Sequence, residues 1–400
     1  MDIFSAIRDR QPQAIHCVNM HTTGEPTRIV LSGFPDLQGT LLAQRSHAKT
    51  SHDNIRSRII LEPRGHYDMY GAVLRPQTEF VRDGTADIGV LFMHNEGFST
   101  MCGHATIALG RFLVDTHDRG VFPNRDTLPF DPVSKITKVR LHAPCGILDI
   151  SVPTVPDPRN DSVLASDPSR PVSFLSVPAF ATGVNVKVPI PITSRWPELQ
   201  GRESITVDVS YGGTFYALVS AKELGFPGGL RNVNLGTIGR CAKLLKRHLA
   251  SASDLKPYLI LPGEAEPSPL YSIMITDNEL GPVSNTSIGA ETGLCYFADN
   301  QIDRSPTGGC VVARVALAYA KGQRTLGERW TYHSLLSSAV GEGGFIGSIV
   351  KEVHVGPAQI PGVLVRVEGH AYYTGASSFV LEDTDPISGN GFSLNHIKHS

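Results

Sequence analysis

Long apolar runs are missing from this chain of 400 residues. No stretch approaches the ~18 residues that a membrane-spanning helix needs. The opening segment, MDIFSAIRDRQPQAIHC, lacks the apolar core and small-residue cleavage site of a secretory leader. Cysteine is sparse: Cys17, Cys102, Cys145, Cys241, Cys295 and Cys310 are too few and too dispersed for a disulfide framework. There is no C-x-x-C pair, and Cys102-Gly103-His104 is poorly spaced for two side chains to share a zinc ion, so no metal site is expected. A charge excess is missing as well. With 36 Lys and Arg against 38 Asp and Glu, neither nucleic acid nor an anionic membrane is an expected partner. The one basic cluster, Lys243, Lys246, Arg247 and His248, reads as a solvated helix face. The glycine-rich GEGGFIG (341–347) lacks the Lys-Ser/Thr ending of a phosphate loop and reads as a turn leading into a strand. Reduced thiols without a leader make a cytoplasmic location the expectation.

What is present is the composition of a globular protein, 41% hydrophobic and 18% charged, at a length that predicts two domains. Strand-like alternation runs through AIHCVNM (14–20), TRIVLSG (27–33), ADIGVLFMH (86–94) and KVRLHAPCGILDISV (138–152). A helix is predicted after Cys102, through Ile107, Leu109, Phe112, Leu113 and Val114, ending at Asp115 and Thr116. Its apolar residues point to a helix wrapped by sheet on several sides. The proline-rich segment 153–171 reads as a surface insertion, and 188–204 as the crossing between domains. The expected domains are therefore 1–195 and 196–380, with the tail from about 380 to 400 packing back on the first. In the second, a strand region (204–224), a helix (234–250) and a strand (272–276) precede IDRSPTGGCVVARVALAYAKG (302–322).

That last segment repeats the layout of STMCGHATIALGRF (99–112). Each brings a small polar residue and glycines to the start of an apolar helix, so that Cys102-Gly103-His104 corresponds to Thr307-Gly308-Gly309. A helix start presents unpaired N–H groups and a partial positive charge. Such an end binds carboxylate and lowers the pKa of a thiol from its free value of about 8.5. Cys102 therefore stands where a thiolate can form beside a bound anion. His94, Asn95 and Glu96, just upstream, read as scaffold.

HTTGEPTRIV (21–30), DIGVLFMHNEGFSTMCGHATIALGRF (87–112), VDVSYGGTFYAL (207–218), DRSPTG (303–308) and GHAYYTGASSFVLEDTDP (369–386) together resemble the proline racemase family over nearly the whole chain. The resemblance implies an α/β (α+β) fold like diaminopimelate epimerase. In that fold two similar domains each wrap a sheet around a central helix, with the active site in the cleft between them. It also implies catalysis on a small molecule without a cofactor. Family racemases use two cysteines, one on each face of the substrate α-carbon; here Cys102 holds the first position and Thr307 the second. Threonine there marks the dehydratases of the family, which act on trans-3-hydroxy-L-proline. By matched position, Gly103, His104, Gly308 and Gly309 would hold the carboxylate through their N–H groups, and Asp303 with the His104 side chain would face the ring nitrogen. Cys310 departs from the small residue usual in the family; it reads as a buried inert thiol, one that would alter the loop if the position needs positive φ.

Physical chemistry agrees with a change of reaction. Racemisation needs a proton removed from one face and another delivered to the opposite face. A threonine hydroxyl is a poor acid and a poor base near neutral pH. Loss of a β-hydroxyl after the α-proton needs only one competent thiol. The alternatives are a 4-hydroxyproline or proline epimerase and, more distantly, a non-catalytic imino-acid-binding protein. The sequence does not fix the oligomeric state, a homodimer being a common outcome for soluble enzymes.

Overall fold

The computed structural model describes residues 14–396 apart from Arg159, Asp383 and Ser388; the opening segment 1–13, read above as no leader, lies outside the described residues. The chain divides into two units, Met1–Val172 with His370–Ser400, and Ser173–Gly369. No helix among the described residues is long and apolar enough to cross a membrane.

In the first unit, the hairpin β1 (Ile15–Thr22) and β2 (Glu25–Ser32) leads to helices α1 (Leu41–Ser51) and α2 (Asp53–Ile60). Next come β3 (Gly71–Arg75), the short α3 (Glu79–Arg82), β4 (Ile88–Met93), β5 (Phe98–Ser99) and α4 (Gly103–Asp115). The strands β6 (Phe130–Asp131), β7 (Ile136–Ala143), β8 (Gly146–Asp157) and β9 (Asn160–Ser166) follow, and β10 (Val172–Leu175) straddles the unit boundary. In the second unit, β11 (Phe180–Pro189), β12 (Ser204–Tyr211), β13 (Phe215–Ser220), α5 (Leu235–Ser251), β14 (Leu270–Asp277), β15 (Ala290–Phe297), β16 (Gln301–Ile302) and α6 (Gly308–Ala320) come first. Then follow β17 (Arg329–His333), α7 (Leu335–Val340), β18 (Phe345–Val355) and β19 (Ile360–Gly369), before β20 (Ala371–Phe379) returns to the first unit.

Strand pairing shows the repeat that the helix starts suggested. The first unit runs β20, β1, β2, β3, β4, β7, β8, β9, with successive neighbours antiparallel, antiparallel, parallel, antiparallel, parallel, antiparallel and antiparallel. The second runs β11, β12, β13, β14, β15, β17, β18, β19 with the same directions in the same order. In each unit the sheet curls around its helix. β1, β2, β7, β8, β9 and β20 pack on α4, while β11, β12, β13, β18 and β19 pack on α6. A helix enclosed in this way cannot be amphipathic, and in α4 every residue except Arg111 and Asp115 is buried. Small side chains let the strands close in: a Cβ on Gly110 would lie 2.6 Å from Ile150 Cγ2. Arg111 and Asp115 tie the far end of α4 to β9 and β20. Arg111 donates to Ser166 Oγ at 3.1 Å and to the Ala371 carbonyl at 2.6 Å, and Asp115 accepts the Ser166 N–H at 2.6 Å.

The outer faces are covered by the crossover helices. In the second unit α5 buries Ile238, Cys241, Ala242, Leu245 and Leu249 at helical spacing. Of the basic cluster read as solvated, Lys243 and Arg247 are exposed, whereas Lys246 and His248 are half-buried and bond the Ala298 and Pro189 carbonyls at 2.7 and 2.8 Å. Each Leu or Ile so covered contributes about 1.5–3 kcal/mol, an upper figure because the unfolded chain is already partly collapsed.

Two readings need correction. Segment 153–171 is no irregular insertion, because β8 continues to Asp157 and pairs with β9. Its prolines hid the alternation, although Thr154 is fully buried and bonds Thr137 Oγ1 at 2.9 Å. Segment 188–204 lies inside the second unit, since β11 pairs with β12 from Phe180 to Pro189. GEGGFIG is a turn leading into a strand: Gly341 ends α7 at φ 86 and β18 begins at Phe345.

Candidate active site

β4 and β5 deliver the chain to α4, whose N-cap is Cys102. With extended backbone at this position, the sulfur itself accepts the Ala105 N–H at 3.4 Å. The Cys102 carbonyl accepts both the Thr106 N–H, at 3.0 Å, and the Thr106 hydroxyl, at 2.6 Å. Sulfur is a weak acceptor when protonated, so a cap of this kind favours the thiolate, as does the helix dipole. The His104 ring folds back on the same sulfur, with Nδ1 at 3.3 Å and Nε2 at 3.6 Å. According to its protonation, it donates to the thiolate or accepts from the thiol. Cys102 is 7% exposed and His104 3%, so the pair is shielded from bulk water.

Residues that the sequence did not single out hold this pair. The Thr22 hydroxyl donates to the His104 carbonyl at 2.9 Å, tying the β1–β2 hairpin to the first turn of α4. Tyr70 meets the His104 ring edge-on, centroids 4.7 Å apart, and its hydroxyl lies 2.5 Å from Ser99 Oγ. Thr22 lies in the HTTGEP motif, whose letters do not say which of its side chains reaches α4. Tyr70 gave no signal, because ring packing between distant segments leaves no local pattern. His94, Asn95 and Glu96 form the turn after β4; Arg56 donates to the His94 and Asn95 carbonyls at 2.7 and 2.9 Å.

The start of α6 is built differently. Thr307 is its N-cap at φ 62 and ψ 83, a left-handed backbone that is rare for a β-branched residue, and its side chain makes no cap bond. Holding it there costs on the order of 1–3 kcal/mol. A short relay imposes it: Asp303 N–H donates to the Cys295 carbonyl at 3.1 Å, Ser305 N–H to Asp303 Oδ1 at 2.8 Å, and Thr307 N–H to Ser305 Oγ at 3.1 Å. The Thr307 hydroxyl is buried beside the Cys295 thiol without a hydrogen bond of normal geometry, and no basic group among the described residues is bonded to it. Gly308 and Gly309 open the helix, and Val311 N–H closes the first turn on the Thr307 carbonyl at 2.8 Å. The positive φ falls on Thr307 and not on Cys310. Gly212, in the β12–β13 turn, is the residue whose smallness admits this helix start: a Cβ there would stand 2.2 Å from the Gly309 carbonyl oxygen.

Cys310 is fully buried; burial, with the Cys295 thiol next to it, pushes its pKa well above the ordinary range. Burial also pushes the Cys17, Cys145, Cys241 and Cys295 thiols up to about 12. Among the described residues no cluster of His, Cys, Asp and Glu could hold a metal ion. The structure thus pairs Cys102 with Gly103 and His104 in the first unit, and Asp303 with Thr307, Gly308 and Gly309 in the second.

The proline racemase family model matches residues 17–393. A trans-L-3-hydroxyproline dehydratase of Bos taurus is 38% identical over 382 residues, 95% of each chain. A trans-3-hydroxy-L-proline dehydratase of Homo sapiens is 37% identical over 379 residues, 94% of each chain. A solved hydroxyproline epimerase from Agrobacterium vitis, with trans-4-hydroxy-L-proline bound, has a TM-score of 0.74 at 20% identity, covering 97% of this chain and 96% of that one. At that identity the likeness shows a shared fold, whereas the family match runs through both units and both helix starts. On that match the chain belongs to the proline racemase family.

Proposed function

We propose that this chain is a hydro-lyase that dehydrates trans-3-hydroxy-L-proline, with Cys102 as its acid–base group. The observation that carries the reading is the difference between the two helix starts. At one, a thiol caps the helix and meets a histidine; at the other, a threonine hydroxyl has no base bonded to it among the described residues. One side can move a proton near neutral pH and the other cannot. The similarity to dehydratases over nearly the whole chain supports the same conclusion.

In the proposed reaction the Cys102 thiolate takes the α-proton. The Cα–H electron pair forms the Cα–Cβ double bond as the Cβ–O bond breaks. In the trans isomer the hydroxyl shares a ring face with the α-hydrogen, so the new thiol returns its proton to the departing hydroxide, releasing water and restoring the thiolate. The enamine then tautomerises to Δ1-pyrroline-2-carboxylate. N–H groups of Gly103 and His104, and of Gly308 and Gly309, receive the substrate carboxylate, where charge grows as the α-proton leaves. Asp303, held by the Ser305 N–H, faces the ring nitrogen and favours its charged form, which makes the α-proton easier to remove. The His104 ring steadies the thiolate. Six cysteines outside any disulfide support a reducing, cytoplasmic setting.

Incubation in heavy water with trans-3-hydroxy-L-proline, trans-4-hydroxy-L-proline and L-proline, read by mass spectrometry, tests the assignment. Loss of one water from the 3-hydroxy substrate alone is expected. Inverted, deuterium-labelled 4-hydroxyproline or proline without water loss would replace the dehydratase by an epimerase.

A further inference from the structure

The second unit contains a cavity of about 710 Å³ that the proposed chemistry does not use, lined in part by Arg314, Arg324, Trp330, Glu291, Asp208 and Lys321. Arg314 lies on α6 seven residues beyond Thr307, about 10 Å along the helix. It occupies the helix position that Leu109 fills in the first repeat, so a charge stands where the fold itself asks only for an apolar side chain. It is 3% exposed. Its Nε donates to Glu291 Oε1 at 2.8 Å, yet Nη1 and Nη2 have no acceptor among the described residues. Gly293 makes room for the guanidinium, since a Cβ there would stand 2.8 Å from Nη1.

Arg324 lies on the face of Trp330, 3.3 Å from the ring centroid. The Nε of Arg324 and the indole Nε1 of Trp330 are likewise buried without acceptors among the described residues. The acids of the cavity are already engaged. Glu291 takes Arg314, Asp208 takes the Lys321 ammonium at 2.6 Å, and Glu223 faces Arg202 at 3.5 Å. Four buried donor nitrogens, three of them on guanidinium cations, are therefore left over on residues that line one cavity. Buried donors without acceptors carry a free-energy penalty that an acceptor-rich ligand removes. The two Nη groups of one guanidinium match the spacing of two oxygens on a carboxylate or phosphate.

We propose that this cavity binds a small oxyanion, held by Arg314 and Arg324 over the Trp330 ring. Its lining does not include Thr307, Gly308 or Gly309 at the start of α6.

The test titrates the full-length protein with sodium phosphate and with sodium acetate against sodium chloride at matched ionic strength. Readouts are the Tm and the tryptophan emission, to which only Trp196 and Trp330 contribute. A saturable rise in Tm with an apparent Kd of about 1 mM or tighter, together with a change in emission, is expected for at least one oxyanion and not for chloride. Response to phosphate alone identifies a phosphate site, and response to acetate alone a carboxylate site. Arg324→Gln should weaken the affinity about tenfold or more, and Trp330→Phe should abolish the emission change. Arg314→Leu should remove binding; because it leaves Glu291 unpaired and can unfold the unit, Arg324→Gln decides the matter independently. If neither oxyanion exceeds chloride, water fills the cavity and the proposal fails. It fails equally if Arg324→Gln leaves the response unchanged, because the anion then binds elsewhere.

Discussion

Replacing the Cys102 sulfur separates its structural role from its chemical one. Cys102→Ala removes both the proton carrier and the acceptor of the Ala105 N–H, now 3.4 Å from the sulfur. Loss of a helix cap costs about 1 kcal/mol, which lowers Tm by roughly 2–4 °C in a unit of this size. Cys102→Ser keeps the cap and improves it, because a hydroxyl oxygen accepts a backbone N–H better than sulfur does. Its Tm should equal or exceed that of the wild type. Both variants lose the group with a thiol-range pKa, so kcat/KM should fall by about 10²–10⁴, equivalent to about 2.7–5.5 kcal/mol of transition-state stabilisation. Serine is too weak an acid and base to substitute, even beside His104. Water-release kinetics on trans-3-hydroxy-L-proline, run alongside thermal melts of both variants, supply the comparison. A serine variant that keeps more than a tenth of wild-type activity would refute Cys102 as the proton carrier. If activity and Tm fell in step across the two variants, the thiol would be structural only.

Further outcomes follow from the same geometry. Alkylation of the native protein near pH 8 should label Cys102 first and abolish activity, because burial holds Cys17, Cys145, Cys241 and Cys295 up at about 12 and Cys310 well above its ordinary range; peptide mapping that finds Cys102 labelled last would contradict this. Gly212→Ala forces a Cβ to within 2.2 Å of the Gly309 carbonyl oxygen, so it should destabilise the protein by about 1–3 kcal/mol in chemical denaturation and reduce turnover by displacing the start of α6. His333 bonds the Pro282 carbonyl at 2.8 Å, and its pKa is lowered by burial. Below its ordinary value of 6.5 the unfolded chain takes up the proton first, so stability is full above about pH 6.5 and is lost as pH falls. His333→Gln should flatten the slope of Tm between pH 7 and 5, and an unaltered slope would remove His333 from the account.

The central features of the site were written locally. A cysteine or a threonine followed by glycine at the head of an apolar run announces a helix start with donors to spare, and both helices begin where the sequence placed them, at Gly103 and Gly308. The wrapping of α4 by strands could also be read from it, since a helix apolar on every face has to be enclosed. Strand order could not. Periodicity reports which face of an element is buried, not which distant strand lies beside it. The parallel neighbours β4 and β7, and the return of β20 to β1 from the far end of the chain, are backbone hydrogen bonds that any alternating strand could make. The same limit hid Thr22 and Tyr70 beside His104, and the left-handed turn that a chain of hydrogen bonds from Asp303 through Ser305 imposes on Thr307. Residue type and spacing fix what chemistry a side chain can offer. Which partners surround it is decided only when segments far apart in the chain pack together.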